Sequence, residues 1–336
     1  MANHYAKNGD HIIIISISRP KSSGIFQLDD NVGVKYLNVD LETGNKIISK
    51  IKSVFALRSY CKKINHSTIL LGIGTYPALL IATLQNKTLI KIGCQHSSYA
   101  AVKHIWAILR WILFRRLDLI ISLTEHDLPN LRKLNKNVVV IPNSINFFPD
   151  QPAKLQNKTI LSIGRMDHLK GYDLLIEMFS LFCKKNHNWN LHIIGDGPLR
   201  GSIINLIGIK GLTKRISVDS SSASIMEEYL NASVYLTTSR SEGLPMVLLE
   251  AQACGLPAIA FNCETGPSDI INNGKDGYLI QDFDIKLMSE KLLELCGDFN
   301  KRDQFGKNAR ENIKKFMPDR IFDKWDKLFS ELTHSN

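Results

Sequence analysis

The sequence predicts an α/β protein built from two doubly wound domains, and three observations lead to that fold class. The chain has 336 residues, of which 44% are hydrophobic, so it is too long for one compact core and long enough for two. Short apolar runs alternate with helix-length segments, which is typical of parallel sheets joined by helices. The runs are apolar throughout, which indicates strands that are covered on both faces.

Ten apolar runs are predicted to be buried strands, and they form two sets of five. The first set comprises residues 11–17, 68–74, 88–93, 117–123 and 137–142. The second set comprises residues 159–164, 190–195, 216–219, 233–238 and 257–262.

Domain limits follow from the Asn- and Pro-rich segment 143–158, which stands between the two sets of strands and predicts a joint. We assign residues 1–150 to a first Rossmann-like domain and residues 151–317 to a second. Residues 318–336 form an amphipathic C-terminal helix. That helix packs either back on the first domain or on its own domain.

Composition excludes several classes of protein. The net charge of +10 and the pI of about 9.2 favour polyanionic partners such as phosphorylated ligands or an anionic membrane. The six cysteines are scattered without metal-ligand spacing, which argues for reduced cytosolic thiols and against a zinc site. No nucleic-acid-binding signature is present. We expect no signal peptide and no transmembrane helix.

A pair of glutamates flanks the apolar run PMVLL, with Glu242 before it and Glu250 directly after it. Proline favours the first helical position, so a helix is predicted to begin at Pro245, with Leu244 as a poor cap. Its first amides would then be free to bind an anion, and Gly243 would let a ligand approach the backbone. Carboxylates accept hydrogen bonds from sugar and ribose hydroxyls. From spacing alone, a solvated Glu250 and a merely electrostatic role for Glu242 remain open.

Two further loops are predicted to reach the same edge of the second sheet. Arg165 and Lys170 lie in the first, which starts at Gly164, and two such cations could clamp a diphosphate or could simply be solvated. The second loop, IIGDGPLR, contains Gly195 and Gly197, which allow tight passage of the backbone.

The segments GRMDHLKG, IGDGP and SEGLPMVLLEAQACGLPAIAF occur in this order, together with LTEHD, VIPNSI and TGPSDIINNGKDGYLI. This set of motifs resembles the retaining group 1 glycosyltransferases, especially those of bacterial lipopolysaccharide, capsule and exopolysaccharide assembly. The resemblance covers nearly the whole chain and is strongest over residues 118–281. It implies the GT-B fold, in which two Rossmann-like domains face a cleft.

The resemblance also implies roles for particular residues. Arg165 and Lys170 would hold the diphosphate, Glu250 would bind the ribose, and Glu242 would lie beside the donor sugar. The donor would also contact Gly164, Gly195, Gly197, Gly243, Leu244, Met246 and Val247. His96 resembles the histidine that touches the donor sugar across the cleft, although a purely structural histidine remains the alternative.

The implied reaction is transfer of a hexosyl group, with retention, from a nucleoside diphosphate sugar, expected to be UDP-linked, to a glycan or lipid-linked acceptor. No metal and no separate cofactor are expected. The alternatives are a non-catalytic remnant that only binds nucleotide sugar and a nucleotide-sugar epimerase. The sugar, the acceptor, the linkage and the oligomeric state are not encoded in recognisable motifs.

Two expectations concern the first domain. Residues 100–119 mix tryptophans with arginines, which fits a helix on an anionic membrane surface or an ordinary covering helix with a basic outer side. The protein is expected to be cytoplasmic, and the first of these two interpretations would place it at the inner face of the cytoplasmic membrane. Family members start with a strand and a glycine-rich loop, and both are expected to be missing here, which would leave apolar edges exposed.

Overall fold

The structure is a computed structural model, and it describes residues 1–19, 27–41, 45–102, 104–220 and 224–334. The strands of these residues are β1 (Ile12–Ser16), β2 (Val32–Tyr36), β3 (Thr68–Ile73), β4 (Leu89–Cys94), β5 (Leu119–Ser122), β6 (Val138–Val140), β7 (Thr159–Ile163), β8 (Asn190–Ile194), β9 (Ile216–Asp219), β10 (Val234–Thr237), β11 (Ala258–Phe261) and β12 (Gly277–Ile280).

The helices of the described residues are α1 (Ala2–Lys7), α2 (Lys46–Cys61), α3 (Thr75–Ala82), α4 (Ile105–Leu113), α5 (Leu128–Arg132), α6 (Tyr172–Cys183), α7 (Arg200–Ile209), α8 (Ile225–Leu230), α9 (Met246–Ala253), α10 (Pro267–Ile270), α11 (Ile285–Gly297), α12 (Phe299–Ile313) and α13 (Pro318–His334). None of them is long and apolar enough to cross a bilayer.

Every strand pair in the described residues is parallel, and the pairs form three sheets. The first part of the chain holds a two-stranded sheet, β1-β2, and a four-stranded sheet, β3-β4-β5-β6. The second part holds one six-stranded sheet in the order β12-β11-β10-β7-β8-β9. The predicted class of α/β protein with parallel, doubly wound sheets is therefore confirmed.

All ten predicted strands are present, and two were missed. β2 reads VGVKY, in which glycine and lysine interrupt the apolar run, and β12 reads only GYLI. The predicted helix within residues 100–119 is also shorter than expected, because 3₁₀ turns at Tyr99–Ala101 and Phe114–Arg116 flank α4. Lys103, which contributes to the basic character of this segment, lies outside the described residues.

Side chains alternate between the two faces of the six-stranded sheet, so each strand contributes to two cores. Ile160 and Val234 point into one core, and their neighbours Leu161 and Tyr235 point into the other. This burial on both faces explains why the strands read as unbroken apolar runs.

The C-terminal helix α13 crosses back to the four-stranded sheet of the first part of the chain. Its Ile321, Trp325 and Leu328 are buried in one cluster with Ile92 of β4 and Ile121 of β5. The N-terminal helix α1 joins the same cluster, where the Tyr5 hydroxyl donates a 2.7 Å hydrogen bond to an Asp326 carboxylate oxygen. Both chain ends are thereby tied to the first sheet.

Candidate active site

The order of the strands in the six-stranded sheet defines where a ligand can bind. From β7 the chain proceeds outward through β8 and β9, and then returns to the other side of β7 for β10. The order of the strands therefore reverses at β7 and β10, and we call this place the switch point. Open α/β sheets bind ligands outside the carboxyl ends of the strands at such a point.

The loop after β7 is held in a fixed shape by Asp167. One carboxylate oxygen of Asp167 accepts hydrogen bonds from the amides of Leu169 (3.0 Å) and Lys170 (3.2 Å), which stabilises the 3₁₀ turn His168–Lys170. Arg165 precedes this turn, with a side chain that is 72% exposed and lies 3.7 Å from the other Asp167 oxygen. A guanidinium held so loosely is free to reach an anionic ligand.

The glycine loop after β8 lies directly against this first loop. Gly195 and Gly197 have φ angles of +155° and +156°. A Cβ atom on Gly195 would overlap the carbonyl oxygen of Gly164, and one on Gly197 would come 2.5 Å from the carbonyl oxygen of Met166. Glycine is required at these two positions because the two loops touch through their backbones.

Two ion pairs join the loop after β10 to the loop after β7 and to the first turn of α6. The Nζ atom of Lys170 lies 2.6 Å from Oε1 of Glu242, whose side chain is only 9% exposed. Arg240 forms a bidentate pair with Asp173 at 2.8 and 2.5 Å, which holds the pKa of that carboxyl below its ordinary value. The basic loop and the acidic end of β10 therefore lie in direct contact.

Helix α9 begins one residue later than predicted. Pro245 is the N-cap, with ψ of 103°, and the first helical residue is Met246. Proline still starts the helix, but from the flanking position, where its own carbonyl accepts the first hydrogen bonds from Leu248 and Leu249. No side chain caps the helix, so the first amides, those of Met246 and Val247, are available to an anion.

Glu250 is buried inside the site rather than exposed at its rim. One oxygen accepts a 2.6 Å hydrogen bond from the Asn146 amide, and the other lies 3.0 Å from the Tyr229 hydroxyl. Burial raises the pKa of Glu250, and these two hydrogen bonds oppose that effect. Each oxygen retains lone-pair capacity for one further donor.

Sequence reasoning missed the two partners of Glu250. Asn146 follows the VIPNSI segment at the joint, and the sequence of this segment gives no sign of a contact with Glu250. Tyr229 lies in α8, where an aromatic residue is ordinarily assigned to the core. No local pattern connects either residue with a glutamate that is 104 or 21 positions away.

His96 lies just beyond the end of β4 and approaches the site from the four-stranded sheet. A Cβ atom on Gly243 would come 2.5 Å from the backbone carbonyl oxygen of His96, so the two parts of the chain meet at this point. The ring is exposed at the gap, yet desolvation by the surrounding protein lowers its pKa. A neutral imidazole is thus favoured beside Gly243.

The candidate site therefore combines hydrogen-bond donors with carboxylate acceptors. Hydrogen-bond donors come from Arg165, Lys170 and the start of α9, and carboxylate acceptors come from Glu242 and Glu250. Leu244 is buried beneath the loop, whereas Met246 and Val247 are partly exposed. Among the described residues, no group of three or more His, Cys, Asp or Glu side chains is arranged to hold a metal ion.

Comparison with known proteins connects this arrangement to a family. Residues 143–312 match the family described as "Glycosyl transferases group 1". The amylovoran biosynthesis glycosyltransferase AmsD of Erwinia amylovora is 30% identical over 316 residues, which cover 89% of each chain. An α-1,4-N-acetyl-D-galactosaminyltransferase of Campylobacter jejuni, whose substrate is named as a diphospho-undecaprenol-linked sugar, is 28% identical over 87% of this chain and 82% of its own.

Similarity extends to solved structures. TarM of S. aureus, solved in a complex with fondaparinux, α-GlcNAc-glycerol and UDP, superposes with a TM-score of 0.75 and 27% identity. The match covers 82% of this chain and 59% of the TarM chain, so the present chain spans about three fifths of TarM. The parallel sheets in both parts of the chain and the loops at the switch point agree with these similarities. The chain belongs to the group 1 glycosyltransferases and adopts their GT-B fold.

Proposed function

We propose that this glycosyltransferase moves a hexosyl group, with retention of configuration, from a UDP-linked sugar to a glycan or lipid-linked acceptor in the assembly of bacterial cell-surface polysaccharide. The observation that carries the proposal is the contact of 2.6 Å between Lys170 and Glu242 at the switch point, next to Gly243, which meets the backbone of His96. It sets a cation for phosphate beside an acceptor for sugar hydroxyls. The names of AmsD and of the UDP complex of TarM support the same chemistry.

The mechanism follows from where charge develops. The bond between the anomeric carbon and the distal phosphate oxygen breaks, and negative charge builds on the leaving diphosphate. Arg165, Lys170 and the first amides of α9 are positioned to stabilise that charge without reorganising. The leaving phosphate can accept the proton of the acceptor hydroxyl while the hydroxyl oxygen bonds to the anomeric carbon from the same face, which retains the configuration.

The remaining residues would position the donor. Glu250 can accept hydrogen bonds from ribose hydroxyls while Asn146 and Tyr229 hold its orientation. Glu242 can accept from the hydroxyls of the sugar, and the Lys170 ammonium holds it in place. His96, neutral at the gap, can donate or accept toward the sugar from the first sheet.

The place of action is part of the proposal. A lipid-linked acceptor would require the chain to work at the cytoplasmic face of a membrane, as a peripheral protein. Trp111 and Arg115 support this location, because both are exposed and the guanidinium carbon lies 4.2 Å from the centroid of the indole ring. An exposed aromatic residue paired with a cation suits a membrane interface.

The first experiment measures donor recognition separately from turnover. Binding of UDP, UMP and uridine is compared by calorimetry in the wild type, in Arg165→Ala and in Lys170→Ala. The variants should lose about tenfold or more in UDP affinity, since each removes a charge-assisted contact, while uridine binding stays unchanged. Arg320→Ala, an exposed arginine on α13, is the matched control. Equal loss for uridine and UDP would contradict the diphosphate clamp.

The second experiment identifies the reaction. Labelled UDP-hexoses are incubated with and without extracted cell-envelope glycolipids, and the product linkage is assigned by NMR. Transfer with retention only in the presence of acceptor supports the proposal. Conversion of the nucleotide sugar without acceptor would indicate an epimerase, and binding without turnover would indicate a remnant.

A further inference from the structure

Helix α2 exposes large apolar side chains on its solvent-facing side. Its buried face is formed by Ser49, Ser53, Leu57 and Cys61. Its outer face carries four large apolar side chains that are 51–69% exposed: Ile47, Ile48, Ile51 and Phe55. An amphipathic helix on a globular protein normally turns such residues inward, so this outer face is suited to an apolar environment.

Helix α4 carries a second exposed apolar face. Trp106, Leu109 and Leu113 pack into the first core, whereas four apolar residues on the opposite side are 46–57% exposed: Ile105, Ile108, Trp111 and Ile112. The two helices are neighbours, because the Nζ atom of Lys50 on α2 lies 4.1 Å from the centroid of the Trp106 ring. We call these eight exposed side chains of α2 and α4 the docking face.

The stretch of chain that carries the docking face has ionisable side chains of one sign only, apart from histidine. Residues 43–117 contain no Asp or Glu and twelve Lys or Arg residues, more than the net charge of +10 for the whole chain. These twelve are Lys46, Lys50, Lys52, Arg58, Lys62, Lys63, Lys87, Lys91, Lys103, Arg110, Arg115 and Arg116. So strong a field attracts an anionic surface.

A basic cavity lies at the foot of α4 and continues the positive surface. It has a volume of about 630 Å³, and its lining includes five cations and a single acid, Asp118. The cations are Lys87, Arg115, Lys133, Lys136 and Arg132. Since the Arg115 guanidinium stacks on Trp111, the cavity adjoins the docking face.

We propose that the docking face and the basic cavity seat the protein on an anionic phospholipid bilayer, with apolar side chains inserted at the headgroup boundary and lipid phosphates held at the cavity. This inference deepens the proposed function, because it would carry a lipid-linked acceptor to the site. The α4 part of the docking face begins nine residues after His96, on the segment that leaves the carboxyl end of β4, so α4 leads from the gap toward the cavity at the amino ends of β4 and β5.

A second copy of the chain is a poorer occupant of this face. A twofold contact would bring the same surface together with itself, and each copy would present its cations to those of the other. Like-charge contacts of this kind oppose association. A bilayer supplies both the apolar interior and the opposite charge.

The test is co-flotation of the full chain with phosphatidylcholine vesicles, with and without phosphatidylglycerol. We expect binding to the anionic vesicles that weakens with added salt, and little binding to phosphatidylcholine alone. The double variant Phe55→Ser, Ile108→Ser should lower the vesicle-binding constant by about tenfold or more, because it removes two large apolar side chains from the inserted face. Ile209→Ser, 72% exposed on α7, is the matched control and should bind normally.

A second set of variants tests the contribution of the cavity to vesicle binding. Lys133→Glu, Lys136→Glu should weaken binding to the anionic vesicles, whereas Lys154→Glu, Lys158→Glu, an equal change of charge on exposed residues elsewhere, should have much less effect. Inorganic phosphate should not displace the vesicles beyond the effect of chloride at the same ionic strength.

Three results would overturn the inference. They are equal binding to neutral and anionic vesicles, unchanged binding by both test variants, and a dimer in light scattering that Phe55→Ser abolishes. UDP affinity is measured in every variant and should remain at the wild-type value. Failure of vesicle binding with intact UDP binding would therefore reject the docking surface and leave the proposed function standing.

Discussion

Single side chains at the switch point decide the electrostatics of the site. Lys170 and Glu242 come from loops 72 residues apart in the chain, and Glu242 is almost completely buried. A buried carboxylate is stable only when a cation or several donors satisfy it. The pair therefore fixes the position of Glu242 and of the Lys170 ammonium.

A double-mutant cycle measures this coupling. Lys170→Met leaves Glu242 charged without a partner and should lower the free energy of unfolding by about 1–3 kcal/mol. Adding Glu242→Gln removes the unpaired charge and should restore part of that loss. Chemical denaturation of the four proteins gives the coupling energy. Additive effects would show that the pair does not act as a unit.

The protonation of Glu250 gives a second prediction at this scale. Because burial raises its pKa in the folded state above the ordinary 4.5, the folded state binds the proton more tightly than the unfolded state. Its contribution to stability is therefore present below about pH 4.5 and is lost as the pH rises through the raised value. Glu250→Gln, which is uncharged at every pH, should melt above the wild type at pH 7 and lose that advantage near pH 4.

The same variant should bind UDP more weakly, since an amide accepts ribose hydroxyls less well than a carboxylate. Glu290→Gln, on the exposed surface of α11, is the control and should change neither property. If Glu250→Gln is no more stable than the wild type at pH 7, burial of the charged carboxylate does not lower the stability of the folded state.

At the scale of elements, glycines decide how closely the loops approach. Gly243 stands where the loop after β10 meets the segment after β4, and Gly266 packs against the Gly243 carbonyl from the other side. The site is thus formed by backbones in contact, and side chains at these positions would force the elements apart.

Gly243→Ala tests this contact. The added Cβ would come 2.5 Å from the backbone oxygen of His96, which cannot move like a flexible side chain. We expect turnover to fall about tenfold or more, since small displacements of catalytic groups are costly, with little change in UDP affinity. Gly208→Ala in α7 has open space around it and should raise stability by about 0.5–1 kcal/mol without altering turnover. Normal turnover in Gly243→Ala would show that the two segments separate during catalysis.

At the scale of the whole molecule, α13 ties the second part of the chain to the first. It follows the helices of the six-stranded sheet and buries its apolar stripe on the four-stranded sheet, together with α1. The stacked rings of His4 and Phe322, with centroids 3.8 Å apart, extend this contact. The two sheets are therefore linked by the C-terminal helix as well as by the joint.

Trp325→Ala should weaken this link. Trp325 is only 8% exposed, so its truncation should cost about 3–5 kcal/mol of unfolding free energy. Trp111→Ala removes the same side chain from an exposed position on α4 and should cost much less. Thermal unfolding of both variants makes the comparison. Equal effects would mean that α13 contributes little to holding the first sheet.

The sequence by itself determined the fold class, ten of the strands and the loops that meet at the switch point. These are local properties: unbroken apolar runs require burial on both faces, and the carboxyl ends of parallel strands share one edge of a sheet. It also carried enough motif information to indicate the family. The start of α9 was misplaced by one residue, because proline is compatible with both the cap and the first helical position.

Only the tertiary structure decided which groups satisfy one another and which faces are covered. The hydrogen bonds of Glu250 to Asn146 and Tyr229 and the pairing of Arg240 with Asp173 join residues that are 21 to 104 positions apart, and no local pattern encodes such contacts. The stripe of Ile47, Ile51 and Phe55 on α2 shows the same limit, because periodicity creates an apolar face without specifying what packs on it. In this fold Ser49 and Ser53 of α2 are turned inward with Leu57 and Cys61, and the apolar stripe is left exposed.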